Sequence, residues 1–453
     1  MQKTQKQTLI LIIAAPALLG CFLLGRSLGS ADAFDRRLSL KNQLRTLMTA
    51  SSAAIGGGSG GEQGQGSIPP EVLYEEILEA VKTKYVEENI NEPRISNRSM
   101  SHMLASLDDP KTNYLDIKMR QMRQSALQGK FTGIGAVVQY TKTKKGSVEH
   151  RNLTMVAVMP NSPAEKAGLK TGDNITYIDG RWVITYPISA EIEELVKDKS
   201  LTDAQKREAA KKIVERYRLG YTLPKALLQV TTGKGKELKL KVDRQSSPVE
   251  VAITTAETEV NAVEMKQLAS DIGYVRVLQF NTYATTQFQQ ALEKYKDAKG
   301  LILDLRQNAG GVTADKETGI DGYLSAKTLI AAIAGSVTAK LERKPNQTEP
   351  LTIEGTGTKF KAPVVVLVDK GTANLAEFVA TMLRDVKQAK IIGVRTFGDP
   401  TLQLMTIFKN GTGVEMSTAH LLMVNGQKWL SGIQPDILAD GNALEKAIST
   451  LGG

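Results

Sequence analysis

Hydrophobic positions along this chain change their spacing several times, and each change predicts an element. The first run, Thr8 to Gly25, is apolar and uncharged, with Lys3 and Lys6 ahead of it. As a helix it extends about 27 Å, close to the hydrocarbon thickness of a bilayer. A retained signal-anchor helix over 1–30 is the expectation. A cleaved signal peptide and a lipoprotein signal ending at Cys21 are the alternatives. Phe22, Leu23 and Leu24 continue the apolar run past Cys21, which argues against lipidation. Positive charge flanks both sides, at Lys3 and Lys6 and again at Arg26, Arg36, Arg37, Lys41 and Arg45. The count of positive residues alone therefore does not orient the helix.

From Ala31 to Ala50, Phe34, Leu38, Leu40, Leu44 and Leu47 share roughly one helical face. A stalk helix or short coiled-coil contact fits, and so does a partly ordered spacer. Ala53 to Pro70 is rich in Gly, Ser and Gln and has no apolar pattern, so it predicts a flexible linker closing the 31–70 segment. Over 71–129, Val72, Leu73, Ile77, Leu78, Val81 and Tyr85 are spaced for an amphipathic helix, and the region as a whole is expected to be helical, with a turn at Asp109-Pro110. Residues 130–248 break into short strands, the last of which, ELKLKVDR, alternates apolar and charged residues as an edge strand would. Helical patterns reappear inside this region at about 184–220, where Ser200 to Gln205 opens a charged helix with capping chemistry. From 249 to 453 the pattern changes again. Ile272–Val277, GLILDLRQNAGG, APVVVLVDKG and AKIIGVRTFG are short apolar strands, with helices expected through Gln287–Lys296 and Ala376–Val386. Continuous apolar strands between helices predict a layered α/β core.

Composition narrows the chemistry. Net charge is +10, but Lys and Arg are dispersed among acids, so a solvated surface is the reading and no nucleic-acid module is visible. Cys21 is the only cysteine, which excludes an intrachain disulfide and a Cys nucleophile in the globular part. His102, His150 and His420 have no metal-ligand spacing. Neither a metal nor a cofactor is implied.

Two stretches carry motifs. FTGIGAVV, followed by SPAEKAGLKTGDNITYIDG, resembles a PDZ domain. In such a domain the loop at Gly133, Ile134 and Gly135 would turn consecutive backbone N–H groups inward as a nest for a peptide's terminal carboxylate. Asp369 to Gln403 resembles the active-site segment of the C-terminal processing peptidases, the S41 family of Ser–Lys serine peptidases. That resemblance runs from Glu71 onward and includes the Leu-Asp-Asp-Pro run near Asp109 and GVEMSTAHLLMVNGQKWLSGIQPDI. It implies an S41 core, a strand spiral related to the crotonase-like and ClpP-like folds.

It also implies a site. The nucleophile's position falls at Asn374 and the general base's at Asp399. Gln403 matches the Gln that orients the base. Gly310 and Gly311 match the oxyanion turn, with Ala309 where the family has Pro. A carboxamide is not a usable nucleophile, and an Asp near neutral pH is an anion rather than a neutral amine. Neither Thr372 nor Ser417 matches the nucleophile's position. Asn374 is expected to donate a hydrogen bond to Asp399 and tie the two loops together. A water activated by Asp399 would lack a proton donor for the leaving amine.

Three functions follow. The first is a membrane-anchored, inactive S41 homologue that binds protein C-termini, unfolded polypeptide or a partner protein such as an active sister protease in a hetero-oligomer, with a homo-oligomer as the other assembly. The second is a working C-terminal processing endopeptidase with a rearranged site. The third is a structural envelope protein whose peptide groove is closed by the 184–220 insertion. The resemblance implies a body outside the cytoplasm, in the periplasm or cell envelope.

Overall fold

The computed structural model describes residues 70–87, 89–146, 148–268, 271–314, 321–355 and 360–452. The apolar run Thr8–Gly25, the stalk segment Ala31–Ala50 and the linker ahead of Pro70 lie outside the described residues. Among those described, no helix is long and apolar enough to cross a membrane. They form two compact units, one reaching to Ser96 and including Leu195–Val214, the other holding Asn97–Glu194 and everything from Glu215 on.

In the first unit, α1 (Pro70–Lys84) follows the amphipathic pattern, yet only Ala80 is fully buried. Lys82 reaches Glu92 at 3.0 Å, in the first turn of α2 (Glu92–Ala105). The expected capping chemistry of the insertion is present. Thr202 Oγ1 accepts from the Gln205 N–H at 3.3 Å, and Gln205 Oε1 accepts from the Thr202 N–H at 2.8 Å.

The second unit departs at once from the all-helical expectation for 71–129. A short strand, β1 (Asn113–Leu115), separates α2 from α3 (Ile117–Leu127). Asp116 caps α3 by accepting from the Met119 N–H at 2.8 Å. Next come β2 (Lys130–Gly133), β3 (Ala136–Lys145), β4 (Val148–Val158), α4 (Pro163–Lys166), β5 (Asn174–Ile178) and β6 (Arg181–Trp182). The insertion supplies α5 (Ile188–Lys197) and α6 (Asp203–Leu219), and α7 (Leu223–Thr231), β7 (Glu237–Arg244), β8 (Ser247–Thr254) and β9 (Ala256–Glu259) follow. The PDZ-like sheet has the order β3-β4-β5-β7-β8 around Ile134, Leu153, Met155, Ile175 and Leu240. Here β7 is interior, paired on both sides, so ELKLKVDR is not the edge. Its alternation reports one buried and one solvated face, with Leu238, Leu240 and Val242 inward. The two edges of this sheet are β3 and β8.

The insertion is rooted beside β6. Arg216 and the Tyr186 hydroxyl both hydrogen-bond Glu191, and the Arg216 guanidinium lies 4.8 Å from the centre of the Trp182 ring.

The peptidase-like core begins at β10 (Val263–Leu268) and β11 (Ile272–Val277). It continues through α8 (Thr282–Lys294), β12 (Gly300–Asp304), β13 (Thr313–Ala314), α9 (Gly322–Ala334), β14 (Val337–Lys344) and β15 (Gln347–Ile353). Then come β16 (Val364–Val368), α10 (Leu375–Lys387), β17 (Lys390–Gly393), β18 (Thr401–Ile407), β19 (Gly413–Leu422), β20 (Ile437–Leu438) and α11 (Ala443–Thr450). One sheet runs β10-β11-β12-β16-β17-β20, parallel from β11 on. Both its faces are covered, which is why β12 and β16 are apolar at nearly every position and buried throughout. The second sheet runs β13-β18-β19-β14-β15, and β1 adds to β19 with Tyr114 opposite Val414. The 109–123 segment is thereby brought alongside β19.

Candidate active site and peptide groove

The turn after β16 is over-determined. The Asp369 carboxylate accepts from the N–H groups of Gln307 at 3.0 Å and Gly371 at 2.9 Å. The Thr372 hydroxyl donates to the Leu305 carbonyl at 2.9 Å, and the Ala373 N–H to the Asn308 carbonyl at 2.9 Å. These contacts hold Asn374 at φ 55°, ψ −118°, a conformation that costs a non-glycine residue about 1–3 kcal/mol. Asn374 is 2% exposed. Its side-chain NH2 donates to the Thr401 carbonyl, and its Oδ1 is buried with no partner among the described residues. The expected Asn374–Asp399 hydrogen bond is absent, because the carboxamide turns to the backbone of the base-side loop instead of its carboxylate.

Glu377, on the first turn of α10, holds the two loops together. Its carboxylate accepts from the N–H groups of Asn374 at 2.9 Å, Gly398 at 2.8 Å and Asp399 at 2.7 Å. It also accepts from the Thr396 hydroxyl and from Trp429 Nε1, the latter at 3.1 Å. Complete burial pushes the Glu377 carboxyl up to about 7, against the pull of these donors.

Asp399, at the base's position, is 1% exposed and takes the ammonium of Lys111 on one oxygen. The same oxygen accepts from the Thr401 N–H at 3.0 Å, while Oδ2 is buried without a partner among the described residues. Lys111 Nζ also donates to Thr401 Oγ1 at 3.2 Å. Gln403 is retained but oriented onto the backbone, its Nε2 donating to the Lys111 carbonyl at 3.1 Å. So a lysine does stand beside this site, brought in by the turn between α2 and β1. Asp109 fixes that turn by accepting from the Lys111 N–H at 3.0 Å and the Thr112 hydroxyl at 2.6 Å, and Thr112 in turn accepts from the Ser417 N–H at 3.1 Å. In sequence Lys111 is a turn residue with no periodicity, and only the pairing of β1 with β19 reveals it. The sequence reading also missed the reach of Glu377 across both loops, although a Glu on the first turn of α10, three residues after Asn374, was a usable signal.

Gly310 and Gly311 lie against Asn374 as the frame requires. A Cβ at Gly310, where φ is +88°, would meet Asn374 Cβ at 2.6 Å and Oδ1 at 2.8 Å. The Gly310 N–H, however, donates to Asn308 Oδ1 at 2.8 Å.

Beside β3 lies a cavity of about 160 Å³. Its walls are β3, Leu227 and Leu228 of α7, and Met119, Met122 and Arg123 of α3, with Gln403 and Glu415 at one end. A smaller cavity shares Arg123, Phe131, Val137, Gln139 and Gln403 with it and continues to Gly310 and Gly311. The Gly133–Gly135 loop differs from the open nest expected. The Gly133 N–H donates to the Gly233 carbonyl at 3.3 Å and the Ile134 N–H to the Val230 carbonyl at 2.8 Å. The glycines allow close approach: a Cβ at Gly133 would strike the Val230 carbonyl, and one at Gly135 would meet Ser162 Cβ at 2.5 Å. The loop is thus bonded to the end of α7.

Comparison with known proteins agrees with this geometry. Residues 271–439 match the model of peptidase family S41. The chain is 26% identical over 382 residues to the carboxy-terminal-processing protease of Bartonella bacilliformis, covering 82% of this chain and 76% of that protein. It is 27% identical over 366 residues to the carboxy-terminal processing protease CtpA of Bacillus subtilis, covering 80% and 67%. The solved photosystem II D1 C-terminal processing protease superposes with a TM-score of 0.57 at 22% identity, over 85% of this chain and 98% of that one, a likeness of fold. Residues 271–439 thus match peptidase family S41, and over most of its length the chain is a homologue of the carboxy-terminal processing proteases.

Proposed function

We propose that this chain is a catalytically silent S41 homologue that binds protein C-termini, unfolded polypeptide or a partner protein through the groove beside β3. The observation that carries the reading is the pairing at the former dyad. A Ser–Lys hydrolase needs a hydroxyl and a neutral amine in contact. At these two positions a carboxamide donates into a backbone carbonyl, and a buried carboxylate holds an ammonium. An active sister protease is a fitting partner, in a hetero-oligomer, and a homo-oligomer is the other assembly to test.

The uncharged run Thr8–Gly25 supports an N-terminal membrane anchor with the body in the periplasm or cell envelope. Recovery of the intact chain in the soluble fraction after lysis would count against that anchor.

The test of silence is incubation of the purified protein with a denatured substrate bearing an apolar C-terminal tag, with no cleavage expected. Cleavage that disappears on Asn374→Ala or Asp399→Ala refutes the reading. One contact favours a rearranged active site instead, the 3.2 Å approach of Lys111 Nζ to Thr401 Oγ1. Cleavage abolished by Thr401→Val would establish that alternative.

A further inference from the structure

We propose that Arg123 of α3, rather than the Gly133–Gly135 loop, receives the terminal carboxylate of a polypeptide seated in the groove. The proposal rests on the groove reading above and assigns the group that recognises the free C-terminus.

Three observations carry it. First, the Gly133 and Ile134 N–H groups already donate to Gly233 and Val230 carbonyls. A carboxylate arriving there would meet carbonyl oxygens, which repel it. Second, the groove contains a cation placed for the task. Arg123 lines both the cavity beside β3 and the smaller one leading to Gly310 and Gly311. Its Nε and Nη2 donate to the two oxygens of Glu415 at 2.8 and 2.7 Å. A guanidinium has five N–H donors, so this side-on pairing leaves the Nη1 edge for a second acceptor. The side chain keeps 27% of its surface accessible, and the space it borders is the cavity. Third, Lys111, the other cation lining the groove, already gives its ammonium to Asp399 and Thr401.

The remaining lining sets the ligand's chemistry. Leu115, Met119, Met122, Leu227 and Leu228 are apolar, so the last residues of the polypeptide should be apolar as well. The carboxylate adds to Nη1 while Glu415 keeps its own two hydrogen bonds. Glu415 is then a negative neighbour that weakens binding of an anion.

The experiment uses the full-length protein in detergent and a fluorescein-labelled peptide with three apolar C-terminal residues, made as the free acid and as the carboxamide. Binding is read by anisotropy. The wild type is expected to bind the acid at least about tenfold tighter than the amide, the scale of a charge-assisted hydrogen bond. Glu415→Gln, which keeps Arg123 and its packing, is expected to widen that preference. The neutral pair Arg123→Gln/Glu415→Gln is expected to bind acid and amide alike, at the wild-type affinity for the amide. If the neutral pair keeps the full preference for the acid, or Glu415→Gln narrows it, the assignment to Arg123 is overturned while the groove reading stands. If the wild type binds neither peptide, both fall.

Discussion

The pair Lys111–Asp399 makes an asymmetric prediction. Lys111→Met removes the only cation among the described residues that is hydrogen-bonded to the Asp399 carboxylate, which is 1% exposed. Asp399 would then retain one hydrogen bond, from the Thr401 N–H. It would also lie beside Glu377, whose carboxylate already accepts from the Asp399 backbone N–H. Breaking a buried pair from the lysine side costs about 3–5 kcal/mol. Asp399→Asn is milder. The Lys111 side chain is 19% exposed and long enough to move its ammonium toward water, so about 1–2 kcal/mol is expected, the cost of one lost hydrogen bond. The double variant Lys111→Met/Asp399→Asn should cost little more than Asp399→Asn alone, since neither charge remains. The cycle should therefore show coupling close to the full cost of Lys111→Met, roughly 3–5 kcal/mol. Trp429 is a local reporter, because its indole N–H donates to Glu377. Urea unfolding followed by its fluorescence in a Trp182→Phe background reads the cycle. A cost below about 1 kcal/mol for Lys111→Met, or additive single costs, would refute the claim that this pair is a buried joint.

Two further outcomes are expected. Burial raises the Glu377 carboxyl from its ordinary 4.5 to about 7, so the folded state holds that proton more tightly than the unfolded chain. Its contribution is therefore full below about pH 4.5 and is lost as pH rises through about 7, a fall on the order of 3 kcal/mol. Urea midpoints measured from pH 4.5 to 8 should show that fall, and Glu377→Gln should flatten it. Restoring the dyad as Asn374→Ser/Asp399→Lys should fail while Lys111 is present. Two ammonium groups about 4 Å apart repel by about 4 kcal/mol at an effective dielectric constant of 20. Adding Lys111→Met should allow cleavage of the tagged substrate, and activity in the double variant without that change would contradict the repulsion.

How much of this was legible in sequence depends on how locally each feature is determined. The buried strands β12 and β16 were readable because both faces of a central parallel strand demand apolar residues. Asn374 and Asp399 were readable because short flanking segments fix the turns that carry them. Lys111 was not, since it and Asp399 are 288 residues apart and meet only through β1 and β19. The glycine loop misled for a related reason. Its glycines were visible, but the carbonyls of Val230 and Gly233 that take its N–H groups belong to α7 and the turn beyond. For β7, alternation along one strand reports a half-buried face and cannot say whether a partner such as β8 returns to cover the other edge.

The frame around Asn374 and Asp399 is held by Glu377 and not by the side chains at those two positions. Three of its five donors are backbone N–H groups, at residues 374, 398 and 399, and the other two are the Thr396 hydroxyl and the Trp429 indole. None is the side chain of the nucleophile's or the base's position. Both positions can therefore change residue type without releasing the turns, provided the new side chains are accommodated. The Asn374 amide has the Thr401 carbonyl, and the Asp399 carboxylate has Lys111. The two accommodations meet at Thr401, whose carbonyl takes one group and whose hydroxyl takes the other. What remains is a polar joint fastening the 109–123 segment to the sheet. That segment carries Arg123 and one wall of the cavity beside β3, so substitutions at Asn374 or Asp399 are expected to alter peptide binding through the position of α3.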